Sequence, residues 1–128
     1  SLGNVARAQK DSSAAITFYQ QAATSNASPL IRTQAQLNQL SLLIEIGKQA
    51  EGQSLVPVIQ TLLDNLPPSR STVYARINLA QSLQKLGQNA PAAQILVTAI
   101  ESAKKLRDRR AQSYALGYLG RIYELTQQ

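Results

Sequence analysis

The chain has no cysteine, no histidine, no methionine and no tryptophan. Without thiols it has neither disulfides nor a cysteine nucleophile. Without imidazole as well, it has no Cys/His zinc site and no triad built on a histidine base. Aromatic residues make up only 5% of the sequence. No apolar run approaches the ~20 residues that a membrane span requires. Ser1 stands where an initiator methionine would, so the sequence reads as a piece of a longer protein, and the lack of a visible signal peptide carries no weight.

What is present favours helices. The 44% of hydrophobic residues lean on alanine and leucine, which suit closely packed helices better than sheets. At 128 residues the chain buries roughly two-thirds of its unfolded surface on folding and needs no staple. The net charge is +6, and six of the thirteen cations fall in the last quarter: Lys104, Lys105, Arg107, Arg109, Arg110 and Arg121.

The sequence repeats itself. Leucine followed by a small or similar residue recurs at Leu2-Gly3, Leu40-Ser41, Leu79-Ala80 and Leu119-Gly120, with leucine spacings of 38, 39 and 40. Four positions beyond each leucine lie Ala6, Ile44, Leu83 and Tyr123. A second stripe follows a break: Ala15, Tyr19 and Ala22, then Ala92, Leu96 and Ala99. The middle copy, Leu55 to Leu66, is less regular because Pro57 must lie in a first turn or kink the helix. Asp11 or Ser12, Ser28, Ser69, Asn89 and Asp108 are candidate N-caps. These signals predict seven helices near 2–9, 12–25, 29–46, 52–65, 69–86, 89–106 and 109–126, and no strands. Ala80, Ala92, Ala99 and Gly120 are expected at tight helix contacts.

On these residues, Leu2-Gly3 with Ala15, Tyr19 and Ala22, Leu79-Ala80 with Leu83, Gly87, Ala92, Leu96 and Ala99, and Leu116, Leu119-Gly120 and Tyr123, the chain resembles the tetratricopeptide repeat family. The period, near 40 rather than about 34, resembles a longer bacterial subtype. Leu37 to Leu43 and Leu66-Pro67-Pro68-Ser69 are similar to arrays that precede caspase-like CHAT domains in cyanobacterial proteins. The resemblance implies an all-α, right-handed α-α superhelical solenoid of about three and a half helix-turn-helix repeats, covering 1–28, 29–68, 69–107 and a partial 108–128. It also implies a concave groove that binds a peptide or segment of a partner protein, or another part of the parent chain.

The stripe left over on the first helix of each repeat would line that groove. It comprises Tyr74, Asn78, Gln81 and Lys85, then Tyr114, Tyr118, Arg121 and Leu125 forty residues on. In the second repeat it is Ala35, Gln39, Leu42 and Ile46 with Asn38 beside them, and in the first only Asn4 and Ala8. The tyrosines would equally serve by packing against a following repeat. The basic run of Lys104, Lys105, Arg107, Arg109 and Arg110 either complements a helix C-terminus or binds a polyanion. Nucleic acid is disfavoured there because no aromatic lies between 75 and 113. The acids Asp11, Glu45, Glu51, Asp64, Glu101, Asp108 and Glu124 form no close pair by spacing, and no glycine-rich phosphate loop is present. The expectation is a non-enzymatic module with no cofactor and no metal. Uncovered Leu116, Leu119 and Tyr123 on the last helix would favour a homo-oligomer.

Overall fold

The computed structural model describes the backbone of residues 2–24 and 26–127, and side chains from residue 10 onward within those ranges. The described residues form six α-helices and no strand: α1 Leu2–Thr24, α2 Pro29–Glu45, α3 Gln49–Asp64, α4 Arg70–Lys85, α5 Asn89–Lys105 and α6 Arg109–Thr126. The fold is all-α. The chain divides into two compact units, residues 1–64 with α1 to α3 and residues 65–128 with α4 to α6.

Helix starts follow side-chain chemistry. Ser28 accepts the Ile31 N–H at 3.3 Å with Pro29 opening α2. Ser69 accepts the Thr72 N–H at 3.1 Å, and Asp108 accepts the Ala111 N–H at 3.0 Å. Each satisfies a donor that the first turn leaves without a helical partner. Asn89 is not a cap. It is the first residue of α5, and Gln88 precedes it with no side-chain capping bond. The turn before it already occupies Gln88, whose N–H donates to the Leu83 carbonyl at 2.9 Å.

The three hairpin turns share one geometry. Gly47, Gly87 and Arg107 adopt φ of 84°, 79° and 58°. The residue after each donates back across the last helical turn: Lys48 to Leu43, Gln88 to Leu83 and Asp108 to Ala103. This six-to-one bond needs a left-handed residue, which glycine supplies freely and arginine only at a cost.

In the first unit, α2 packs against both α1 and α3. The expected pair of helices at 2–9 and 12–25 is one helix, so Asp11 and Ser12 lie inside it and cap nothing. Between Lys10 and Thr24 there is neither glycine nor proline to turn the chain. Helix α3 starts at Gln49, earlier than the expected 52, and carries Pro57 in its interior on an exposed position. Gly52 is buried against α2, where a Cβ would stand 3.2 Å from Leu40 Cδ1, so the missing side chain permits close approach.

In the second unit, α5 packs against α4 and α6, and α6 also touches α4. Ala80, Ala92, Ala99 and Ala103 are buried, as are Ala111 and Ala115 facing from α6. Gly120 is not at a contact: it is exposed, and a Cβ there would meet nothing within 4 Å. It lies two positions from buried Ile122, about 200° round the helix. Leu116 and Tyr123 are exposed and Leu119 is half-buried, because only one face of α6 is covered.

Candidate functional site: a tyrosine strip on the second unit

The spacing 74, 78, 81, 85 on α4 and 114, 118, 121, 125 on α6 places two polar-aromatic stripes on adjoining helices. Packing of α6 against α4 brings them together. The Tyr74 and Tyr114 rings lie 5.7 Å apart with planes inclined at 46°. Tyr114 and Tyr118, one helical turn apart, meet edge-to-face at 5.2 Å and 71°. Such tilted pairs match positive ring edges with negative faces.

An arginine closes each end. The Arg70 guanidinium carbon stands 5.6 Å from the Tyr74 ring centre, and that of Arg121 stands 5.5 Å from the Tyr118 ring centre. The result is a continuous strip, Arg70–Tyr74–Tyr114–Tyr118–Arg121. Its contour of roughly 20 Å equals the reach of about six extended residues. Tyr114, at its centre, is 46% exposed. Gln81, Gln84, Lys85, Tyr118 and Arg121 line an open depression of about 390 Å³ beside the strip. A second depression, lined by Ser113, Tyr114, Gly117, Tyr118 and Arg121, adjoins it.

Local electrostatics follow from these contacts. Hydrogen bonding by Tyr74 first, and the charge of Asp108 second, hold the Arg70 guanidinium above its ordinary pKa. Hydrogen bonding to Tyr118 pushes the Tyr114 phenol above its usual range, and Gln81 acts in the opposite sense. The Arg70 Nε also pairs with Asp108 Oδ2 at 3.3 Å. Arg70 was not among the residues that spacing pointed to. Its signal, an arginine one turn before Tyr74 at the start of α4, was available but ambiguous.

The remaining expected residues fall as follows. Asn78 and Gln81 are half-buried and Lys85 is exposed, all on α4. Asn38 is exposed and Gln39 is buried, both on α2 in the first unit. Asn4 and Ala8 have side chains outside the described residues. Lys104, Lys105, Arg107, Arg109 and Arg110 are all exposed around the α5–α6 turn. Among the described residues no three acidic side chains gather as a metal site, and no helix is long and apolar enough to cross a membrane. Compared with known proteins, the chain matches no family model, no curated protein and no solved structure.

Proposed function

We propose that this chain is a tetratricopeptide-type interaction module whose tyrosine strip holds an extended segment of a partner protein or of its own parent chain. The observation that carries this reading is the continuous Arg70–Tyr74–Tyr114–Tyr118–Arg121 strip. Tyrosine and arginine offer large contact area at low conformational cost, with a polar end to orient a backbone. Exposed rings in mutual contact are already ordered, so a segment settling on them orders little new.

Supporting the repeat reading are the hairpins α2–α3 and α4–α5, whose left-handed glycines, Gly47 and Gly87, lie forty residues apart. The buried Ala92, Leu96 and Ala99 stripe is of the kind such repeats use to stack. In this reading the module is a solenoid segment that performs no catalysis and uses no cofactor. A caspase-like enzyme of the CHAT type is the proposed neighbour in the parent chain. The half-covered α6 face, with Leu116, Leu119 and Tyr123, would be where another repeat or a second copy stacks.

The strip is better suited to a peptide than to nucleic acid. Base stacking needs open ring faces, whereas Arg70 and Arg121 already lie over those of Tyr74 and Tyr118. The test is selection of a displayed random-peptide library on the immobilised protein. Titration of the enriched peptides against Tyr118→Ala/Arg121→Ala should show at least a tenfold loss of affinity, with little dependence on salt. Enriched peptides that bind this variant as tightly as wild type would remove the strip from consideration.

A further inference from the structure

We infer that the α5–α6 turn is a second site, which binds the surface of an anionic membrane. The charge of the protein is unevenly placed. Residues 1–64 carry four cations and four anions, whereas residues 65–128 carry nine cations and three anions, so the whole net charge of +6 resides in the second unit. Five of those nine, Lys104, Lys105, Arg107, Arg109 and Arg110, surround one turn, and all are exposed. Lys104 and Lys105 end α5, while Arg109 and Arg110 begin α6. All five therefore lie within one helical turn of a single hairpin apex.

The one carboxylate inside the run is already engaged. Asp108 Oδ1 accepts the Ala111 N–H at 3.0 Å, and Oδ2 pairs with Arg70 at 3.3 Å. Among the described residues no ion pair joins any of the five cations to an acid. Glu101, one turn earlier on α5, is the nearest acid outside the run and offsets a single charge.

At the apex, between Lys105 and Arg107, Leu106 is 39% exposed. The left-handed Arg107 fixes the reversal there. Cations ringing an apolar side chain match a lipid surface. The phosphates meet the ammonium and guanidinium groups, their stems lie along the boundary, and the leucine enters the edge of the acyl layer. A nucleic acid would use the cations and leave Leu106 without a role.

The experiment is co-sedimentation with phosphatidylcholine vesicles, with and without phosphatidylserine, run beside a polyuridylate titration. Wild type is expected to bind only the phosphatidylserine vesicles and to lose that binding as salt rises. Each neutralised cation should weaken binding about fivefold, so Lys104→Gln/Lys105→Gln/Arg110→Gln should lose about a hundredfold. Leu106→Ser should lose severalfold at unchanged charge, and Gln34→Ala, at an exposed position of α2 in the first unit, should bind as wild type. Circular dichroism checks that each variant is folded; should the triple variant unfold, Lys105→Gln alone carries the test with its fivefold loss. Equal binding to pure phosphatidylcholine, a folded neutralised variant that binds like wild type, or polyuridylate bound more tightly with Leu106→Ser indifferent would each overturn the inference.

Discussion

Arg70 and Asp108 lie 3.3 Å apart although 37 residues separate them in the chain, and they tie the first residue of α4 to the N-cap of α6. Asp108 thus does two things. It satisfies one of the free N–H groups of α6, that of Ala111, and it anchors the arginine that covers Tyr74. The pair is largely solvent-exposed on the arginine side, so the capping bond is the larger share of what Asp108 contributes.

That division gives a first prediction. Asp108→Ala removes a cap and should cost about 1–2 kcal/mol of stability in urea unfolding. Asp108→Asn keeps a capping oxygen and should lose clearly less. Equal losses in the two variants would mean that the charge, not the cap, carries the effect.

The turn geometry gives a second. Arg107 adopts φ of 58°, a conformation that Gly47 and Gly87 adopt without side-chain strain. Arg107→Gly should therefore raise stability by about 0.5–1 kcal/mol despite the added freedom of the unfolded chain. Gly87→Ala should lower it by about 1–2 kcal/mol. Thermal unfolding of both variants checks the pair, and a lower melting temperature for Arg107→Gly would contradict this account of the turn.

Two small residues that looked alike should respond oppositely. Ala99 is fully buried, so Ala99→Leu overpacks the α5 interface and should cost about 1–3 kcal/mol. Gly120 faces open space on α6, so Gly120→Ala should stabilise by up to about 1 kcal/mol through helix propensity. Chemical denaturation separates these signs directly.

The alkaline limb of stability should carry a tyrosine signature. Hydrogen bonding to Tyr118 raises the Tyr114 pKa in the folded protein above the ordinary value of 10.0. The neutral phenol is the form the fold favours, so this contribution is complete below the unfolded pKa and is lost as pH rises through the higher folded one. Phenolate absorbance should show one tyrosine titrating late, and Tyr118→Phe should return it towards the ordinary range. A late titration unchanged in Tyr118→Phe would exclude that cause.

Relations within one helix were legible in the sequence. The caps at Ser28, Ser69 and Asp108, the Ala92–Leu96–Ala99 stripe and the common face of Tyr74 with Asn78 follow from side-chain chemistry and helical period. Relations between helices were not. Tyr74 and Tyr114 stand forty residues apart in the chain, and only the packing of α6 on α4 sets their rings 5.7 Å from each other. Gly120 was misplaced because leucine plus a small residue marks a contact only if that face is covered, and α6 covers a different one. The break at Asp11 failed for a related reason. A capping side chain permits a helix start, but nothing nearby forces the preceding helix to end. Gly52 escaped notice because its value lies in how closely α3 approaches Leu40, which no local pattern encodes.

The most direct test of the strip is a titration of a library-selected peptide followed by the ring resonances of all five tyrosines. Tyr74, Tyr114 and Tyr118 form the strip, whereas Tyr19 belongs to the first unit and Tyr123 lines a separate depression with Asn89, Ala90 and Ala93. The account predicts that the three strip resonances shift together and saturate at one peptide concentration while Tyr19 and Tyr123 stay in place. Movement of Tyr19 or Tyr123 with the strip tyrosines unmoved would contradict it.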